Sequence, residues 1–76
     1  MNSRDETILK FLKALSVDTV EEVEYISKDE LEGHCVCGQQ IKYRYEFRNK
    51  RTRLTCFVGK NCLPYITDYL GWKSKF

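Results

Sequence analysis

All four cysteines and the single histidine of this 76-residue chain fall between positions 34 and 62. His34, Cys35 and Cys37 lie in the stretch GHCVCG, and Cys56 and Cys62 lie in TCFVGKNC. A chain below roughly 80 residues has a core that seldom supplies more than about 3 to 5 kcal/mol of stability. The clustered thiols therefore predict a shared ligand that stabilises the fold.

The composition is that of a folded chain, with 42% hydrophobic and 13% aromatic residues. The opening MNSRDETILKF has an acidic pair where a secretory signal needs basic residues. No apolar run approaches the roughly 18 residues of a membrane span. We therefore expect a cytoplasmic protein with no membrane partner.

In a reducing compartment, clustered cysteines bind metal more often than they form disulfides. We therefore expect bound Zn²⁺, and the alternative is unligated thiols or a disulfide.

The first third of the chain predicts a helix and a strand. An S-x-x-E capping box begins at Ser3 and precedes apolar residues at helical spacing. These are Ile8, Leu9, Leu12 and Leu15. They predict a helix that ends near Ser16. The segment TVEEVEYIS suits a helix or a strand; we favour a strand over residues 23–26, followed by SKDELEG as a polar connection.

The middle of the chain predicts a β-hairpin. Apolar and charged residues alternate from Ile41 to Arg48, which is typical of a half-buried strand. A turn over residues 49–52 and a return strand over 53–58 follow. The resulting register pairs Phe47 with Leu54, Tyr45 with Cys56 and Tyr43 with Val58. Cys56 then points towards the inner face.

The segment KNCLPYITDYLGW predicts a second helix, with Asn61 near its cap, Pro64 in its first turn and Gly71 as its stop. Its apolar stripe consists of Leu63, Ile66 and Leu70. Cys62 falls at the helix start, where free N–H groups and the helix dipole are expected to stabilise a thiolate.

These elements predict a small α+β domain in which zinc substitutes for part of the core. Cys35 and Cys37 lie on a turn in which Gly38 permits a left-handed backbone, and VGKNC supplies a second ligand region. A zinc knuckle, a β-hairpin and a helix that returns to the metal form a treble-clef-like arrangement, preceded by an N-terminal helix. We expect one domain over residues 1–76.

The run CVCGQQIKYRYEFRNKRT followed by FVGKNC resembles a group of small phage and bacterial zinc-ribbon-like or treble-clef-like proteins. The shared pattern is C-x-C-G, a tyrosine-rich strand ending in Asn, a turn and V-G-x-x-C, and it covers residues 33–65. The resemblance implies that Cys35, Cys37 and Cys62 are zinc ligands. For the fourth ligand we favour the inward Cys56, and His34 is the alternative if Cys56 is a core residue.

Charge is divided unevenly along the chain. Residues 1–32 hold nine acids and four bases, and residues 33–76 hold nine bases and two acids. The basic half therefore presents a candidate surface for phosphate contact around RNKRTR. The candidate residues are Lys42, Arg44, Arg48, Lys50, Arg51 and Arg53. A solvated turn with charges for solubility is the alternative.

We expect a binding function without catalysis. A single histidine is too few for a His-Asn-His type nuclease, and neither the deaminase pattern nor a redox C-x-x-C is present. Four cysteine ligands would also leave zinc no open position for a catalytic water. The expectation is a regulatory module that binds nucleic acid through its basic hairpin, with no small-molecule substrate. The alternative, implied by the resemblance to phage proteins, is an inhibitor or modulator of a host enzyme or complex. Trp72 and Phe76 would then be aromatic anchors for that partner. For Trp72, packing on the first helix is the other interpretation.

Overall fold

A computed structural model describes residues 3–72 of the chain. The described part is a small α+β structure with two helices and two antiparallel sheets. In chain order its elements are helix α1 (Ser3–Leu15), a 3₁₀ turn (Val20–Glu22), strands β1 (Val23–Asp29), β2 (Gly33–His34), β3 (Gln40–Ile41), β4 (Arg44–Asn49) and β5 (Thr55–Val58), and helix α2 (Leu63–Leu70). This order contains the predicted helix, strand, cysteine turn, hairpin and helix, but the 3₁₀ turn and the small sheet of β2 and β3 were not predicted.

Helix α1 confirms the predicted first helix, but its buried face differs from the prediction. Ile8, Phe11 and Leu15 are buried, with Phe11 and Leu15 fully so, whereas Leu9 is 50% exposed. Positions 8, 11 and 15 share one side of a helix, while Leu9 is turned about 100° away from Ile8. The helix stops where Ser16 takes a left-handed φ of 51°. The side chain of Ser3, and with it the predicted capping box, lies outside the described part.

The larger sheet has the strand order β1-β4-β5, with both pairings antiparallel. Strand β1 confirms the predicted strand but continues to Asp29, so the expected polar connection was too long. A register shift between Tyr25 and Ser27 marks a β-bulge at Ile26, which is 37% exposed. The smaller sheet joins β2 to β3 and carries the cysteine turn.

The hairpin register differs from the prediction by two residues. Phe47 pairs with Cys56 and Tyr45 with Val58. Asn49 is the last residue of β4 and not part of the turn, because its backbone bonds to Leu54 and Arg53 across the hairpin. It is also fully buried. A shift of two preserves the side-chain face, so Cys56 still points inward and is 7% exposed. The predicted strand is also interrupted: Ile41 belongs to β3, and Tyr43 is 43% exposed in the segment between the strands.

Phe47 lies at the centre of the core. Its ring makes an edge contact with Phe11 at a centroid distance of 5.3 Å and a second with Tyr25 at 5.5 Å. Trp72 stacks on it at 6.0 Å with an interplanar angle of 22°. Trp72 therefore packs on Phe47 of the core sheet. Packing of Trp72 on the first helix was the alternative considered from the sequence. Phe76 lies outside the described residues.

Helix α2 confirms the predicted second helix. Pro64 is in its first turn, and Gly71 ends it with a φ of 76°, which glycine adopts without strain. Leu63 and Ile66 are buried and Leu70 is half-buried, as the apolar stripe predicted. None of the described helices has the length and apolarity needed to span a membrane.

Candidate metal centre

Three cysteines from two parts of the chain meet at one end of the domain. Cys35 and Cys37 lie on the turn between β2 and β3, and Cys62 is the N-cap residue of α2. Their three Sγ atoms all lie within 4.8 Å of one another. Cys35 and Cys62 are buried and Cys37 is half-buried. The structure thus brings together three of the predicted ligands in a group that can hold a metal ion.

The cysteine turn is held by its own backbone. The N–H of Cys35 donates to the Gln39 carbonyl at 2.9 Å, and the N–H of Gly38 donates to the Cys35 carbonyl at 2.8 Å. Gly38 takes a φ of 95°, so the expected left-handed glycine is confirmed. The N–H of Val36 donates to the Phe57 carbonyl at 3.0 Å and fixes the turn to strand β5.

Gly59 allows the second ligand region to approach the first. A Cβ at this position would lie 2.6 Å from Cγ2 of Ile41 and 3.8 Å from Cβ of Cys35. The Gly59 carbonyl also accepts from the N–H groups of Cys62 at 3.2 Å and Leu63 at 2.9 Å, which begins the turn into α2. Gly59 is the glycine of the V-G-x-x-C pattern, but this close packing was not predicted from the sequence.

The spacing of the sulfurs fits a tetrahedral thiolate site. A Zn–S distance of about 2.3 Å with tetrahedral angles places ligand sulfurs about 3.8 Å apart. The Sγ of Cys62 donates a hydrogen bond to the Sγ of Cys37 at 3.5 Å, close to that separation. Soft thiolates also favour Zn²⁺, Cu⁺ or iron–sulfur centres over hard cations such as Mg²⁺. The three thiols are therefore compatible with a site for a soft metal ion, of which Zn²⁺ is one.

The metal-free thiols have different proton affinities. Burial acts to raise the pKa of Cys37, but hydrogen bonds from the Gln39 backbone and from the thiols of Cys35 and Cys62 outweigh it, and the net pKa is lowered. Burial raises the pKa of Cys62 to about 12, and its hydrogen bond to Cys37 adds to the rise. The opposing effect of the Thr7 hydroxyl, 3.9 Å from the Cys62 sulfur, is smaller. Burial thus opposes a thiolate at Cys62 in the metal-free protein, and the expected stabilisation of a thiolate by the start of α2 stays a prediction.

Cys56 and His34 lie outside the group of three sulfurs in the described part of the chain. Cys56 is in β5 with its side chain in the core, where burial raises its pKa to about 12 and the neighbouring Cys35 adds to the shift. His34 is exposed on β2. The role of Cys56 as fourth ligand stays a prediction, as does the alternative of His34.

The basic residues of the hairpin are distributed over several environments. Arg48 Nε lies 2.7 Å from a carboxylate oxygen of Glu24 in β1. Arg51 lies 2.9 Å from Glu22 and 3.0 Å from Asp18. These carboxylates come from the acidic N-terminal part of the sequence. The uneven charge along the chain is therefore partly cancelled in the fold.

Arg44 is also engaged within the domain. Its guanidinium lies 4.2 Å from the centroid of the Phe57 ring and 3.7 Å from Asp29. Its aliphatic part covers Gly33, where a Cβ would lie 2.6 Å from Arg44 Cδ. The three other candidates are exposed and make no ion pair with a described residue: Lys42, Lys50 and Arg53.

Asn49 fixes the hairpin turn to helix α1, and the sequence argument missed this role. Its amide donates to the carbonyls of Leu15 at 2.8 Å and Ser16 at 3.3 Å, where α1 ends, and to Glu22 at 3.1 Å. Its Oδ1 accepts from the backbone N–H groups of Arg51 at 2.8 Å and Thr52 at 3.2 Å. An asparagine that directly precedes a basic turn was the available signal, because asparagine commonly bonds the backbone of a turn that follows it.

The hairpin tip therefore has a structural role that competes with ligand binding. Arg51 also donates to the Ser16 carbonyl at 3.2 Å, and the Thr52 hydroxyl donates to the Leu15 carbonyl at 3.3 Å. These bonds satisfy carbonyls at the end of α1 that have no partner within the helix.

Comparison of the chain with known protein families, with characterised proteins and with solved structures found no match.

Proposed function

We propose that this chain is a non-catalytic zinc-binding regulatory module that acts in the cytoplasm by binding nucleic acid. The observation that carries the proposal is the group of three thiols formed by Cys35, Cys37 and Cys62. Zinc bound there would join the cysteine turn to helix α2 and so add stability that a small core does not supply. The zinc-bound arrangement would be treble-clef-like, with Cys56 as the fourth ligand.

Metal content tests the proposal directly. Native mass spectrometry of protein purified without chelator should find one zinc per chain. Cys37→Ser should lose the metal, and His34→Ala should retain it as the matched control. Cys56→Ser decides the fourth ligand: loss of zinc supports a Cys₄ site, and retention leaves a three-thiolate site. Wild-type protein that binds no zinc when metal is supplied would contradict the proposal.

Nucleic acid is the favoured partner because Lys42, Lys50 and Arg53 are exposed and make no ion pair with a described residue. Such side chains can neutralise phosphates and release the counterions bound to them. Affinity should then fall steeply as salt rises. A binding curve for a labelled oligonucleotide that does not change with salt would contradict this part of the proposal.

A host protein is the second candidate, and the paired charges of Arg48 with Glu24 favour it. A surface of alternating sign suits a partner of complementary charge better than a uniform polyanion. Glu24→Gln separates the candidates, because it frees the guanidinium of Arg48. The change should leave nucleic-acid affinity equal or higher, whereas it should weaken a protein complex that uses the acidic side chain.

A further inference from the structure

A cleft of about 250 Å³ opens beside the cysteine group, at the end of the hairpin opposite its turn. Its walls come from strand β3, the segment that leads into β4, and the segment between β5 and α2. Cys35 and Cys62 form part of the lining. A metal held by these sulfurs would therefore brace the walls of the cleft.

The cleft differs from the hairpin tip in its charge. Lys42 and Lys60 line it, both are exposed, and none of the residues lining it is acidic. Neither lysine makes an ion pair with a described residue. The tip also has exposed bases without an ion pair, but carboxylates lie among its charges, 2.7 to 3.0 Å from Arg48 and Arg51. Phosphates approaching the cleft would find cations without competing acids.

Tyr43 gives the cleft an exposed aromatic surface. The side chain is 43% exposed although its neighbours in sequence lead into a strand of the core sheet. The ammonium of Lys28 lies 5.0 Å from the centroid of its ring and adds positive charge to the same region. The amide side chains of Gln39 and Asn61 also line the cleft. Amides of this kind can donate to and accept from the edges of bases.

We propose that this cleft is the nucleic-acid site and that it takes a single strand. The proposal rests on the proposed nucleic-acid function and locates it at the cysteine end of the hairpin. Lysines beside an exposed aromatic ring are the elements of single-strand binding, in which cations follow the backbone and a base stacks on the ring. A base within a duplex does not offer its face to Tyr43, so single strands bind better than duplexes.

The test is fluorescence anisotropy with the zinc-loaded full chain and a labelled oligothymidine of about 12 nucleotides, within the range of known single-strand site sizes. Two double variants remove the same charge from opposite ends of the hairpin: Lys42→Gln/Lys60→Gln and Lys50→Gln/Arg53→Gln. The cleft pair should reduce the slope of log affinity against log salt by about 1.4, since each phosphate contact in a single strand contributes about 0.7. The tip pair should reduce the slope by less than the cleft pair does.

Tyr43→Leu tests stacking, with Tyr69→Leu as its control because Tyr69 is 44% exposed on helix α2. Loss of one stacked base should lower affinity roughly tenfold or more. Tyr43→Phe keeps the ring and should retain affinity, as should Tyr69→Leu. Retained zinc and unchanged circular dichroism show that each variant is folded.

The outcomes separate the location from the function. If the tip pair reduces the salt slope and the cleft pair does not, nucleic-acid binding stands and the cleft is overturned as its site. If a duplex of the same length binds as tightly as the single strand, the single-strand preference is overturned. If the zinc-loaded wild type binds neither probe at low salt, the proposed nucleic-acid function fails, and the cleft proposal fails with it.

Discussion

Replacing Asn49 with alanine tests the inference that a buried amide holds the hairpin turn on helix α1. Asn49 is fully buried, donates to the Leu15 carbonyl at 2.8 Å and accepts from the N–H groups of Arg51 and Thr52 at 2.8 and 3.2 Å. Each buried polar group left without a partner costs about 1 to 3 kcal/mol. The Leu15 carbonyl retains the Thr52 hydroxyl at 3.3 Å. The main loss is then the two hydrogen bonds to the turn N–H groups, which are only partly buried, so each contributes near the middle of that range or below. Asn49→Ala should therefore lower the free energy of unfolding by about 3 kcal/mol.

A loss of that size is a large part of the stability of a small domain. At about 0.05 to 0.15 kcal/mol per residue, a chain of 76 residues has roughly 4 to 11 kcal/mol in total. Urea denaturation followed by circular dichroism, with zinc held in excess, measures the change. Asn61→Ala is the control, because Asn61 is exposed and its loss should cost less than about 0.5 kcal/mol.

Asn49→Asp separates the donor side of the amide from its acceptor side. The carboxylate still accepts from the turn N–H groups but cannot donate to the Leu15 carbonyl, and it faces Glu22, whose carboxylate lies 3.1 Å from the Asn49 nitrogen. At neutral pH it should destabilise the domain at least as much as alanine does. If Asn49→Ala lowers the free energy of unfolding by less than about 1 kcal/mol, the amide does not hold the hairpin turn on α1 and the inference is refuted.

Three further perturbations follow from the packing and charges. The hydrogen bond from Arg51 lowers the pKa of Glu22. The stability that this pair contributes is therefore fully present above the pKa of Glu22 in the unfolded chain and is lost as pH falls through its pKa in the folded chain. Urea midpoints measured from neutral to acidic pH should fall more steeply for the wild type than for Glu22→Gln, and parallel curves would contradict the pairing. Gly59→Ala places a Cβ 2.6 Å from Ile41 Cγ2 and should lower the free energy of unfolding, measured by urea denaturation, by about 1 to 3 kcal/mol. Adding Ile41→Ala removes the clashing atoms, so the double variant should lose less stability than the sum of the two single variants. Additive losses would count against the clash. Phe47→Ala removes the central ring of the core and should cost about 3 to 5 kcal/mol while exposing Trp72, so a fluorescence maximum that does not shift to the red would argue against the stacked pair.

The sequence predicted the features that depend on nearby residues. The order of elements followed from apolar periodicity, and the ends of α2 followed from Pro64 and Gly71, whose φ of 76° is a local requirement. The cysteine turn was recognisable for the same reason, because Gly38 and the two cysteines that precede it are close neighbours in the sequence. The capping preferences and left-handed turns that fix these features are properties of short segments.

Only the tertiary structure decided the features that join distant segments. The burial of Asn49 beneath α1, the pairing of Arg48 with Glu24 and the approach of Cys62 to the cysteine turn each join residues more than 20 positions apart in the chain. The composition showed how many charges each half carries, but the strand pairing of β1 with β4 determined which of them meet. Register is set by the sum of side-chain packing across strands and turns, so the pairing of Phe47 with Cys56 could not be read from the hairpin sequence alone.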